Sequence, residues 1–156
     1  MATAMTLEQY LDSRHVPFDL ISHRHSYTSM ESAHTAGVDP QQLVKGVLLN
    51  AGGHFLMAVL GADRQVRLGA LRRQLGCEVS LATEAEVNAL FADCARGAVP
   101  ALGMAYGLEV LWDERLEQSP ELYLEAGDHE HLVCMRTREF LELLRSCRHG
   151  EFTRPV

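Results

Sequence analysis

Lysine is almost missing from this chain: thirteen of its fourteen basic residues are arginines, and Lys45 is the single exception. Cysteine occurs only at Cys77, Cys94, Cys134 and Cys147, irregularly spaced and without a Cys-x-x-Cys pair. That spacing excludes the usual zinc and dithiol patterns and fits free thiols in a reducing compartment. His23 with His25, and His129 with His131, would each share a face if extended, but no further ligand at metal spacing accompanies either pair. No metal and no cofactor is therefore expected. No apolar run approaches the roughly 20 residues that cross a bilayer, so no membrane association is expected. The stretch from Met1 to Met5 lacks the basic start and apolar middle of a signal peptide, which makes a cytoplasmic location the expectation. No Ser, His and Asp stand in an order that announces a covalent triad, and no repeat or low-complexity tract interrupts the chain.

What is present describes an ordinary globular protein. The 156 residues are 47% hydrophobic and 22% charged, enough for one domain over residues 1–156 with a real core. The net charge of −7 is unevenly held. Residues 1–82 carry seven acidic and seven basic side chains, whereas residues 83–156 carry fourteen and seven. Arg64, Arg67, Arg72 and Arg73 form a local basic patch that suits either phosphate contact or a solvated helix face. An acidic protein is a poor wrapper of a long duplex, because nonspecific affinity grows with the phosphates neutralised. DNA is not an expected partner, while a short contact with one RNA end is compatible with this charge.

Periodicity places the elements. Thr6 caps a first helix carrying Leu7, Tyr10 and Leu11 on one face and stopped by Pro17. Phe18 to Ile21 reads as a strand, Ser29 to Ala36 as a short helix ended by Gly37, and Asp39 to Gln42 as one helical turn. The run Leu43-Val44-Lys45-Gly46-Val47-Leu48-Leu49 reads as a buried strand, joined through Gly52-Gly53 to His54–Leu60 as a hairpin. Leu68 to Leu75 is helical, Glu78 to Leu81 strand-like, and Thr83 with Glu86 makes a capping box for a helix to about Phe91. Residues 93–103 form a Gly- and Pro-bearing loop. Strands follow at Leu108–Trp112, Glu121–Glu125 and His131–Met135, with a closing helix from Thr137 to Arg145. The pattern predicts an α+β fold: a mixed sheet covered by helices.

Lys45 lies inside an apolar strand, where an ammonium is costly to desolvate unless an anion, a set of acceptors or a watery cleft meets it. The plainer alternative is a lysine whose stem covers apolar surface and whose head reaches water. In the loop, Gly97-Ala98-Val99-Pro100 can bring backbone N–H groups close to a ligand, since glycine permits the turn that aims them together.

Three separated segments together resemble one family, the bacterial YbaK/EbsC proteins, free-standing relatives of the editing domain of prolyl-tRNA synthetase. Tyr27-Thr28-Ser29-Met30-Glu31, Val44-Lys45-Gly46-Val47-Leu48-Leu49 and Gly97-Ala98-Val99-Pro100 look like that family's early segment, its lysine strand and its GxxP loop, in the same order. Ala62-Asp63-Arg64 and Leu81 to Val87 are similar to the corresponding segments. Arg96 and Ala101 stand where family members often carry a further Gly and Pro. Ala126-Gly127-Asp128-His129-Glu130-His131 is similar to a subgroup of unassigned substrate.

The resemblance implies a central, mostly antiparallel mixed sheet flanked by helices and hydrolysis of wrongly charged aminoacyl-tRNA in trans. It implies a catalytic set of Lys45, Gly97, Ala98, Val99 and Pro100, with Tyr27, Thr28, His129 and Arg64 in substrate binding. The partner would be the acceptor end of an aminoacyl-tRNA, with a synthetase or elongation factor as a further partner. An aminoacyl ester is already reactive, so such an enzyme has to position water and stabilise the oxyanion rather than build a strong nucleophile. The N–H groups of Gly97, Ala98 and Val99 are the expected donors, Pro100 would stiffen the loop, and Lys45 would hold a phosphate or the ester region. The alternatives are a non-catalytic module that binds an RNA 3′ end or nucleotide and docks on a synthetase, and a general esterase, which would call for a recognisable nucleophile.

Overall fold

The computed structural model describes residues 5–156; the residues read above for a signal peptide lie, apart from Met5, outside it. In chain order the elements are α1 (Met5–Ser13), β1 (Asp19–Ser22), α2 (Ser29–Ala36), β2 (Leu43–Ala51), β3 (His54–Gly61), β4 (Arg64–Val66), α3 (Leu68–Leu75), β5 (Val79–Leu81), α4 (Glu84–Leu90), β6 (Glu109–Asp113), β7 (Glu121–Glu125), β8 (His131–Arg136), α5 (Thr137–Leu143), β9 (Arg148–Gly150) and β10 (Thr153–Pro155). Single 3₁₀ turns precede and follow β6.

The main sheet runs β1-β8-β7-β2-β3-β6-β9, with β5 added to the far end of β2; β4 and β10 make a separate ribbon. The β2–β3 hairpin pairs Val44 with Gly61 through to Ala51 with His54. Antiparallel joints hold β1 to β8, β8 to β7, β2 to β3 and β2 to β5, while β2–β7, β3–β6 and β6–β9 are parallel. The sheet is mixed and mostly antiparallel, as expected.

Strand alternation explains why the sheet is covered on both faces. Val44, Met57, Val59, Val110, Leu122, Leu124, Val133 and Met135 face one way, against Leu7 and Leu11 of α1 and Phe140 of α5. Leu49, Ala51, Leu56, Ala58, Leu60 and Leu111 face the other, against Ala70 and Leu71 of α3 and Phe152. At the opposite end of that second face, Leu43, Ala62 and Leu132 pack on Ala33 of α2. Each fully buried leucine contributes about 1.5–3 kcal/mol. Lys45 belongs by alternation to the second face, between the cluster under α3 and the cluster under α2.

Several boundaries differ from the sequence reading. Thr6 lies within the first helix and does not cap it; its N–H is donated at 2.9 Å to Asp93 Oδ2, a partner far along the chain. The capping box of Thr83 and Glu86 is present, with bonds of 2.9 and 3.1 Å. The last helix ends at Leu143 rather than Arg145. β4, β9 and β10 are short additions without apolar alternation, which is why periodicity did not find them.

Candidate functional site

The parallel joint of β2 and β7 is only two residues long, Leu43 with Tyr123 and Val44 with Leu124. One step further, Lys45 and Glu125 fall on the same side of their strands. Here a small pocket of about 70 Å³ is lined by Thr28, Ser29, Ser32, Lys45, Gly46, Gly97, Val99, Glu125 and His129, together with Leu43 and Val44. A larger cleft of about 340 Å³, between Ala51, Leu56, Leu75 and Cys147, holds none of the expected site residues. Chemistry identifies the site here, not size.

Four segments converge on this pocket, and each is held by identifiable bonds. α2 begins with Thr28 as N-cap: its hydroxyl accepts from Glu31 N–H at 3.1 Å, while Glu31 accepts the Tyr27 N–H at 3.1 Å. The approach to α2 is tied to the loop after β7, since His23 N–H reaches the Glu130 carbonyl at 2.8 Å and Ser26 N–H the His129 carbonyl at 3.2 Å. Asp128 Oδ1 accepts from both Glu130 and His131 N–H at 2.9 Å, and its second oxygen pairs with His131 Nδ1 at 2.7 Å. This tight turn sets His129 at φ +63°, a left-handed conformation uncommon outside glycine. His131 thus shapes the loop, and His129 enters the pocket.

The fourth segment is the loop from Ala95 to Pro100. Ala95 N–H reaches the Gly127 carbonyl at 2.7 Å, and His129 Nε2 donates to the Arg96 carbonyl. That bond leaves Nδ1 of a neutral His129 as an acceptor. Gly97 has φ +80°, and a Cβ there would stand 3.7 Å from the His129 ring, so the position suits glycine on backbone grounds. The Ala98 N–H is donated to the Ala95 carbonyl at 3.0 Å, closing a turn. This corrects the expected donor set: Ala98 is engaged internally, whereas no bond among the described residues takes the N–H of Gly97 or Val99. Ala98 and Pro100 are buried under the loop and support it without lining the pocket.

The remaining expected residues are distributed unevenly. Thr28 lines the pocket. Tyr27 stands at its outer edge, 74% exposed, with its ring 5.0 Å from that of His25 and 6.1 Å from that of His129. Arg64 is elsewhere: its guanidinium donates to the Thr153 hydroxyl and carbonyl, both at 3.0 Å, and stitches β4 to β10. Arg72 of the same basic patch donates to the Val79 carbonyl at 3.1 Å.

Charge in the pocket is unbalanced by burial. Burial lowers the pKa of Lys45 from the ordinary lysine range, opposed by the nearby Asp63. Burial raises the carboxyl of Glu125 above the ordinary glutamate range, opposed by His129 and His23. Glu125 Oε2 accepts from the Ser32 hydroxyl at 3.4 Å, and Ser32 lies 2.7 Å from the buried Ser26 hydroxyl. The other oxygen, Oε1, is buried without a hydrogen-bond partner. Sequence reasoning missed Ser32 and Glu125. Glu125 follows the Leu122, Leu124 alternation on the outward phase of β7, which reads as solvent until β2 is placed beside it. The arrangement brings Gly97 and Val99, whose backbone N–H groups take no bond among the described residues, together with the Lys45 amine and the Glu125 carboxyl around one small pocket.

A family model described as "Aminoacyl-tRNA editing domain" matches residues 23–143, a span that contains every segment of the pocket. No curated protein matches the chain. Among solved structures, a candidate trans-editing enzyme for prolyl tRNA synthetase superposes with a TM-score of 0.82 at 23% identity, covering 97% of this chain and 96% of that one. A hypothetical protein superposes with a TM-score of 0.83 at 21% identity, covering 96% and 99%. A signal-transduction candidate from Marinobacter aquaeolei gives 0.78 at 20% identity, covering 95% of this chain but 30% of that one. At these identities the structural likenesses establish the fold.

Proposed function

Because the chain belongs to the family of aminoacyl-tRNA editing domains, we propose that it is a trans-acting deacylase, hydrolysing the ester of mischarged aminoacyl-tRNA in the cytoplasm. The observation that carries this reading is the convergence of Lys45, the Gly97–Val99 backbone and His129 on one pocket. The carbonyl of the aminoacyl ester would point at the N–H groups of Gly97 and Val99. An oxyanion donor of this kind contributes about 3 kcal/mol to the transition state. The Lys45 ammonium, a compact point charge on a flexible stem, would hold a phosphate or the ester oxygens of the terminal adenosine. Water is the nucleophile, so no covalent intermediate is needed. His129, held by the Arg96 carbonyl, would bound the amino-acid side of the pocket.

The acceptor end of the RNA is the proposed partner, and delivery by a synthetase or elongation factor would compensate for a small contact area. The test is a deacylation panel in which purified protein meets several mischarged tRNAs and release of the amino acid is followed over time. Catalysed release from at least one mischarged species is expected. Binding of charged tRNA with no acceleration of release from any member would overturn the enzymatic reading in favour of a binding module.

A further inference from the structure

Building on the deacylase reading, we propose that Glu125 is the receptor for the free α-ammonium group of the aminoacyl ester, so that the protein selects substrates whose amino group is unblocked. A buried carboxylate is costly to keep unless it is paired and hydrogen-bonded. Glu125 has one weak partner, the Ser32 hydroxyl at 3.4 Å, and its Oε1 has none. With Ser32 donating to Glu125, Ser26 donates to Ser32, so this short relay supplies one oxygen and leaves the other, buried, without a partner.

No ion pair among the described residues reaches that carboxylate. His129 spends its Nε2 hydrogen on the Arg96 carbonyl. His23, electrostatically coupled to Glu125, donates through Nδ1 to the Arg24 carbonyl at 2.7 Å and leaves a buried Nε2 without a partner. The unsatisfied carboxylate oxygen is an acceptor. An ammonium carries three donors and a positive charge and is complementary to it.

The chemistry of the substrate class matches this arrangement. The α-ammonium of an aminoacyl ester sits one carbon from the reacting carbonyl, and Glu125 shares its pocket with Gly97 and Val99, whose N–H groups take no bond among the described residues. An ammonium held by Glu125 therefore places the carbonyl beside those donors. A cation bound there would also draw the Glu125 carboxyl back towards its ordinary range, in the direction opposite to the effect of burial.

The experiment uses the full chain and two non-hydrolysable ligands, 3′-(L-alanylamino)-3′-deoxyadenosine and its N-acetyl derivative, titrated by isothermal calorimetry. The unaltered protein should bind the free amine at least 10-fold more tightly than the acetylated form. Glu125→Gln should abolish that preference without losing its folded circular-dichroism spectrum. Equal affinity of the unaltered protein for both ligands, failure to bind either at millimolar concentration, or a preference that survives Glu125→Gln would each overturn the assignment. The two-ligand comparison on unaltered protein stands even if the variant does not fold. Retained amine preference without deacylation of any tRNA would refute the catalytic reading alone. Deacylation that is equally fast on N-acetylated and free aminoacyl-tRNA would refute the role of Glu125 alone.

Discussion

Lys45 and Glu125 illustrate how two charges are held beside one pocket at the expense of stability. The pKa of Lys45 is lowered in the folded chain, so folding is penalised below that lowered value and the penalty fades as pH rises through it towards the ordinary lysine range. Lys45→Met keeps the apolar stem and removes the charge. It should abolish most deacylation while leaving Tm at neutral pH equal or higher, with any gain shrinking under alkaline conditions; a fully active variant would remove the lysine from the mechanism. The sign is opposite for Glu125. Its folded pKa is raised, so its penalty is present above the raised value and disappears as pH falls through it to the ordinary carboxylate range. Glu125→Gln should therefore raise Tm at pH 7, by about 2–4 °C for each kcal/mol relieved, and lose that advantage in acid. Scanning calorimetry across pH distinguishes this from a packing effect, which would not vary with pH.

At the scale of elements, the pocket depends on a loop whose geometry is set by backbone rather than by side chains. Gly97 is at φ +80°, where a β-branched residue is a genuine outlier. Gly97→Val should displace the adjacent donors and lower kcat by the order of 10²-fold. Arg96 contributes its carbonyl to His129 while its side chain is exposed, so Arg96→Ala should keep near-normal activity. Steady-state kinetics of the two variants decide the matter, and equal losses would mean that the loop is only a connector. The opposite wall is a matter of strand pairing. β2 and β7 stay together for two residues and then part, which opens the space between Lys45 and Glu125.

For the whole molecule, charge limits how RNA is held. The net charge of −7 disfavours a broad phosphate footprint. Arg64 and Arg72 are already committed to protein carbonyls, which reduces the basic patch further. A protein with two or three phosphate contacts should show log K falling with log salt at a slope of about −2. A charged acceptor-stem minihelix should be deacylated nearly as well as intact charged tRNA. A slope several units steeper, with the minihelix a far worse substrate, would show that the body of the tRNA is read.

The strands, helices and hairpin that carry apolar periodicity were legible in the linear chain, because burial of one face leaves a period of two or 3.6 whether or not the partner is known. So was Lys45, as a lone lysine in an apolar run, and so was the glycine-bearing loop, through residue types whose backbone freedom is intrinsic. Tertiary structure decided what each residue does with its neighbours. It moved Arg64 from substrate binding to a bond with Thr153, engaged the Ala98 N–H in a turn, and separated His129 from the loop-forming His131. It also brought in Glu125, whose position in sequence reads as solvent-facing. The parallel pairing of β2 with β7 joins residues about eighty positions apart. Such contacts leave no periodic trace, so the anionic side of the pocket exists only once the sheet is assembled.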